Sequence, residues 1–230
     1  MKTERVARVL AEMKKLGLSQ MIITDPTSIS YLAVHYENPI ERFWALYLRE
    51  DGQHKLVANS LFTLNDVSGV DILWYTDSED GTAVLNPYID HSAVLGIDKV
   101  MSAKFLIRLM EQGAAAKYVN GSDCVDNIRS RKDAEEQEKM REASRINDAA
   151  MAKFKELVHE GMTELQIADQ MEAIYKSLGA EGYSFDPLVG FGGNAANGHH
   201  EPDATVLKKG DCVLFDVGCK KDGYCSDMTR

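Results

Sequence analysis

The spacing of apolar positions divides the chain into two textures. Val6, Val9, Leu10, Met13 and Leu16 recur at helical intervals, and Gly17 follows them as a stop signal. Met21-Ile22-Ile23-Thr24 is a short apolar run ending at Asp25-Pro26, which predicts a strand followed by a break. Residues 43–49 and 55–58 flank Asp51-Gly52 and predict a hairpin. Further strands are expected at 71–75, 93–97 and from Lys117, with a helix over 102–112. Alternating helix and strand signals through about residue 125 predict an α/β domain.

From Asn127 to Lys132 the chain turns polar and basic, and the pattern then changes. A long helix is predicted from Asp133, with Glu136 as its capping-box partner. Met140, Ala143, Ile146, Ala150, Phe154 and Leu157 mark its apolar face, and Gly161 its end. Thr163 and Gln166 form a second capping box, opening a helix that runs to Gly179. Strand patterns follow at 188–191, at 212–219 and from Tyr224 onward. Two domains meeting near residue 130 are expected.

Charge and cysteine usage narrow the class. The formal net charge of −10 argues against nucleic acid as a partner, because phosphate binding is driven by clustered Lys and Arg. No apolar run approaches the roughly 20 residues needed to span a bilayer, and the charged N-terminus does not resemble a signal peptide, so a cytoplasmic protein is expected. Cys124, Cys212, Cys219 and Cys225 form no C-x-x-C pair, and they are expected to be reduced, small, buried apolar residues.

Two segments carry candidate chemistry. Residues 213–219 are an apolar strand with Asp216 in the middle, and Asp222-Gly223 is a hairpin signal before Tyr224-Cys225-Ser226-Asp227. A two-residue loop sets Lys221 opposite Tyr224 and Gly218 opposite Asp227. Asp216, Gly218, Cys225 and Asp227 then share one face, with Cys219 on the other. Two carboxylates so placed repel unless a shared proton, a cation such as Lys220 or Arg230, or a metal ion offsets them. The other reading is one buried, hydrogen-bonded Asp beside one solvent-facing Asp. The second segment, Gly190 to Pro202, is glycine-rich and holds His199 and His200. A histidine there could polarise a carbonyl or stabilise an oxyanion, or the pair could be a polar surface turn.

These segments resemble a known family. Phe215-Asp216-Val217-Gly218 and Gly223-Tyr224-Cys225-Ser226-Asp227-Met228-Thr229-Arg230 are similar to the first metal-ligand pair of the pita-bread metallopeptidases, which include methionine aminopeptidase, aminopeptidase P and prolidase. Residues 193–202 resemble the substrate-histidine loop, with His199 at the family's histidine position and Gly198 where members usually carry Pro. Residues 24–32 and 38–42 resemble the creatinase-type N-terminal domain of bacterial Xaa-Pro dipeptidases, which methionine aminopeptidases generally lack.

The resemblance implies an α/β creatinase-like domain over residues 1–128. The first half of an α+β pita-bread catalytic domain would follow over 129–230. It implies hydrolysis of the bond before proline in dipeptides or short peptides. Two divalent metal ions, manganese favoured, would be held by Asp216 and by a bridging Asp227, with His199 as a catalytic residue that binds substrate or stabilises the tetrahedral intermediate. The family's remaining ligands, one histidine and two glutamates, lie beyond the segment that ends here at Arg230. The 230-residue chain is therefore expected to be inactive alone and to expose core at its last hairpin, and the intact protein to be a homodimer. Two other readings stay open: a metal-free creatinase-like hydrolase, and a non-catalytic peptide- or protein-binding module.

Overall fold

The structure, a computed structural model, describes residues 1–34, 36–64 and 67–230. It comprises two compact units, Met1–Arg131 and Lys132–Arg230. In chain order the first contains α1 (Thr3–Lys15), β1 (Gln20–Ile23), α2 (Pro26–Leu32), β2 (Ala45–Arg49), β3 (Lys55–Asn59), β4 (Asp71–Tyr75), α3 (Gly81–Leu85), β5 (Val94–Ile97), α4 (Ala103–Glu111), β6 (Lys117–Asn120) and α5 (Asp123–Arg129). The second contains α6 (Ala134–Glu156), α7 (Glu164–Ser177), β7 (Gly182–Tyr183), β8 (Leu188–Phe191), β9 (Val213–Val217), β10 (Cys219–Lys221), β11 (Tyr224–Cys225) and β12 (Met228–Thr229).

The first unit is built on a mixed sheet of order β4-β3-β2-β1-β5-β6. Both faces are covered at the centre, which is why β1 and β2 read as nearly unbroken apolar runs, while the edge strands β4 and β6 are partly exposed. Met21 and Ile23 face α1, α2 and α5 through Val9, Met13, Ile29 and Cys124, whereas Ile22 joins Tyr47, Leu85 and Leu109 on the opposite face. The break expected at Asp25-Pro26 follows the end of β1, and it is at the same time a helix start. Asp25 caps α2 by accepting from the amides of Thr27 and Ser28, and Pro26 takes the first turn, where its missing N–H is harmless.

In the second unit α6 and α7 pack across β8 and β9. Phe154 sits edge-on to Tyr175 at 5.2 Å and against Phe215 at 6.3 Å, forming the aromatic centre of the core. Both expected capping boxes are present, Asp133 with Glu136 and Thr163 with Gln166. Helix α6 stops at Glu156 rather than at Gly161, because the segment that follows turns back to meet the stretch that leads into β9, with the Gly161 amide donating to the Leu207 carbonyl at 3.0 Å and a single bridge between Thr163 and Val206. Met140, expected in the apolar face of α6, is exposed, while Met151 is buried. None of the described helices is long and apolar enough to cross a membrane.

Candidate functional site

The expected hairpin forms at the expected register. Lys221 pairs with Tyr224 and Lys220 with Cys225, while further down Val217 pairs with Met228 and Asp216 with Thr229. Asp222 and Gly223 have φ of 49° and 75°, the left-handed pair that a tight two-residue turn needs. The backbone bonds keep step across the gap between ladders: Ser226 N–H donates to Cys219 O at 2.8 Å, and Phe215 and Arg230 exchange bonds at 2.9 Å each way. One register therefore runs from Arg230 to the turn, and it sets Gly218 opposite Asp227. Asp216/Thr229 and Gly218/Asp227 fall at the positions without mutual backbone bonds, where facing side chains come closest.

Asp216 is half-buried and Asp227 exposed. Thr229 Oγ1 donates to Asp216 Oδ1 at 2.8 Å and so fixes one carboxylate oxygen. The strand changes sheets at Gly218: β9 belongs with β8 and β12, and β10 with β7 and β11. A side chain at Gly218 would overlap Ser184 Oγ and the Ser226 carbonyl, whose mutual hydrogen bond of 2.8 Å ties residue 184 to the hairpin. The carboxylate face is thus shaped by a position that admits no Cβ.

The thiols divide in a way that corrects the sequence reading. Cys124 and Cys219 are buried, as expected, but Cys212 and Cys225 are exposed. Cys225 lies two residues from Asp227 on the same open face, so burial is denied to it by the pleat itself.

The histidine loop is organised by a residue that lies between the two partners of the second capping box and is neither of them. Glu164, the first residue of α7, has a fully buried side chain. Its Oε1 accepts from the Phe191 amide at 2.8 Å and Asn194 Nδ2 at 3.0 Å. Its Oε2 accepts from the Asp203 amide at 3.0 Å and lies 2.6 Å from His200 Nε2. An ionised carboxylate only accepts, so His200 carries its proton on Nε2 in this contact. Four donors and the positive end of α7 offset the burial of the charge. No local signal announces this role, since the partners lie 27 to 39 residues downstream. His199 is exposed, with its amide donating to Asn197 Oδ1 at 3.1 Å. Asp203 is held below the usual carboxylate range chiefly by the hydroxyl and amide of Thr205.

Among the described residues, Glu164, His200 and Asp203 bring three metal-capable atoms within 4.8 Å of one another. Both oxygens of Glu164 are already saturated by two donors each, so the cluster has the chemistry of a strut rather than of a cation site. Asp216 and Asp227 differ: they offer hard oxygen donors on one open face, and among the described residues only one of these oxygens accepts a bond, from the Thr229 hydroxyl. That donor set fits a hard divalent cation in kind, and two carboxylates supply part of its coordination.

Comparison with known proteins finds a match for each of the two units. Residues 5–131 match the creatinase/prolidase N-terminal domain, and residues 138–230 match metallopeptidase family M24. A putative dipeptidase, YkvY of Bacillus subtilis, is 28% identical over 98% of this chain and 64% of its own length. A dipeptidase structure from Pyrococcus horikoshii superimposes with a TM-score of 0.88 at 30% identity, over 98% of this chain and 64% of that one. A prolidase structure from Thermococcus sibiricus gives 0.88 at 27% identity, over 100% and 65%. The chain thus spans 64–65% of the length of the curated relatives it matches. By its matched domains and its fold, the chain belongs to the creatinase/prolidase family, a creatinase-type N-terminal domain followed by the pita-bread fold of the M24 metallopeptidases.

Proposed function

We propose that this chain carries the N-terminal domain, residues 1–128, and part of the catalytic domain, residues 129–230, of a metal-dependent Xaa-Pro dipeptidase. The observation that carries the reading is the single hairpin register that sets Asp216 and Asp227 on one open face. Asp216 would hold one divalent ion, and Asp227 would be shared between two, with manganese the favoured metal. Bound there, the ions supply an activated water and polarise the scissile carbonyl. His199, exposed at the head of its loop, binds the substrate or stabilises the oxyanion of the tetrahedral intermediate. The substrate is a dipeptide or short peptide with proline after the cut bond. The protein is a cytoplasmic homodimer that binds neither nucleic acid nor membrane.

The 230-residue chain itself is expected not to hydrolyse such peptides, because two aspartates are too few to hold two ions firmly. The test is to read the source DNA past the codon for Arg230. A continuing frame with one histidine and two glutamates supports the dipeptidase reading. An immediate stop codon overturns it and leaves a non-catalytic peptide-binding module in its place.

A further inference from the structure

The proposed role of His199 raises the question of what points it. His199 sits in a segment with three glycines, Gly192, Gly193 and Gly198, and a Cβ at Gly193 or Gly198 would meet nothing within 4 Å. Such a segment has little stiffness of its own. Yet its two ends and its middle converge on one buried carboxylate: Phe191 and Asn194 on Glu164 Oε1, His200 and Asp203 on Oε2. A second bond, Asn194 Nδ2 to Thr205 Oγ1 at 3.1 Å, extends the brace downstream.

Within that brace His200 is the only contact adjacent to His199. Its side chain is 12% exposed and locked to Glu164, whereas His199 is exposed. The His200 amide donates to the Asn197 carbonyl and the His199 amide to the Asn197 side chain, both at 3.1 Å, so the turn beneath the two rings is fixed as well. With one ring anchored inward and the backbone between them pinned, the exposed neighbour is left on the open side of the loop.

We propose that Glu164 and His200 are positioning residues: they touch no substrate, and they aim His199 by anchoring the ring next to it. The inference rests on the reading of His199 as the substrate-facing residue, and it adds a pair absent from the Asp216–Asp227–His199 set. It also accounts for the histidine doublet. The two rings divide the labour, with His200 as the anchor and His199 as the working group. The buried anchor must offer an N–H at the reach of Nε2, a demand that Gln meets and Ala does not.

The test uses the 230-residue chain, isotopically labelled at histidine ring carbons, in wild-type, His200→Gln, His200→Ala and Glu164→Gln forms. Ring order parameters of His199 and hydrogen exchange of the Phe191 and Asp203 amides are read together with exchange at Phe215 and Arg230 in the hairpin, whose strand β9 pairs with β8. His200→Ala and Glu164→Gln are expected to loosen the His199 ring and to speed exchange at Phe191 and Asp203 about tenfold, leaving Phe215 and Arg230 protected. His200→Gln is expected to restore the ring order. Unchanged His199 order in His200→Ala overturns the proposal, and so does loss of protection at Phe215 together with the loop, which would make the pair general scaffolding. Uptake of manganese or zinc that His200→Ala abolishes overturns it too, by making the cluster a metal site. None of these readouts needs hydrolysis or the Asp216–Asp227 metals, so failure of the dipeptidase reading is told apart from failure of the anchor.

Discussion

Tyr175 Oη donates to Asn147 Oδ1 at 2.6 Å inside a core where both side chains are fully buried. The amide of Asn147 donates in turn to the Val217 carbonyl at 3.2 Å, between Asp216 and Gly218. One polar chain therefore links α7, α6 and the strand that carries the candidate ligand. Asn147→Leu strands a buried hydroxyl and is expected to destabilise by about 1–3 kcal/mol. Tyr175→Phe alone should act similarly, and the double variant should lose clearly less than the sum. Urea unfolding of the four proteins measures this, and strict additivity would show that the chain is not coupled.

Two glycines of the same hairpin separate shape from conformation. Gly223 has φ 75° with open space around its Cβ position, so Gly223→Ala should cost about 1–2 kcal/mol from backbone strain alone. At Gly218 the backbone is ordinary and the space is absent, since Ser184 Oγ and the Ser226 carbonyl occupy it. Gly218→Ala must push the 184 segment away, and it should cost more than Gly223→Ala, about 3 kcal/mol or above. The same urea series decides the order, and equal effects would mean that the 184 segment yields freely.

The hairpin was legible because its information is local. Asp222-Gly223 dictates the turn, the turn dictates the register, and period-two alternation then places Asp216 and Asp227 together. Both capping boxes were legible for the same reason. Glu164 was not, because a Glu at the start of a helix has a sufficient local explanation and its four donors come from across a loop. Asp25-Pro26 was legible as the end of a strand but not as the start of a helix, which only the amides of Thr27 and Ser28 on the Asp25 carboxylate show. The exposed thiols were missed because composition describes an average cysteine, whereas Cys225 lies on the open face of a two-residue strand.

Thiol reactivity should follow that division. At pH 8, iodoacetamide is expected to modify Cys212 and Cys225 quickly and to spare Cys124 and Cys219. Burial pushes the Cys124 thiol up to about 11 and raises Cys219 as well, so both access and thiolate fraction protect them. Peptide mass spectrometry of a timed reaction gives the order, and early labelling of Cys124 would contradict the packing described for α5.

Stability should fall on the alkaline side. Burial raises Cys124 to about 11 and Tyr47 and Tyr183 to about 12, while Tyr175 moves in the same direction. A raised acid pKa means that the folded state keeps protons which the unfolded chain releases. The contribution is therefore complete below about pH 9 and is lost progressively as pH rises toward 12. For Tyr47, fully buried and donating to Gln20 Oε1 at 2.6 Å, the two-unit rise corresponds to roughly 2–3 kcal/mol at the end of that range. Denaturant midpoints from pH 8 to 11.5 should decline with a slope that Tyr47→Phe makes shallower. An unchanged slope in that variant would remove Tyr47 from the explanation.

Metal binding is the sharpest test of the carboxylate face. Two aspartates with one oxygen held by Thr229 should bind manganese with a dissociation constant on the order of millimolar, far weaker than a complete site. At ten times that concentration the folded state gains about 1.4 kcal/mol, a visible rise in melting temperature. Asp216→Asn and Asp227→Asn should each abolish the rise. Without metal, either change should leave stability equal or improve it by a few tenths of a kcal/mol, because it relieves repulsion between like charges on one face. Opposite signs with and without manganese distinguish a ligand from a structural carboxylate. If Asp216→Ala, which removes the acceptor of the Thr229 hydroxyl, destabilises the metal-free chain by about 1 kcal/mol or more while manganese leaves the melting temperature of the unmutated chain unchanged, the bond to Thr229 is its function and the face is no metal site.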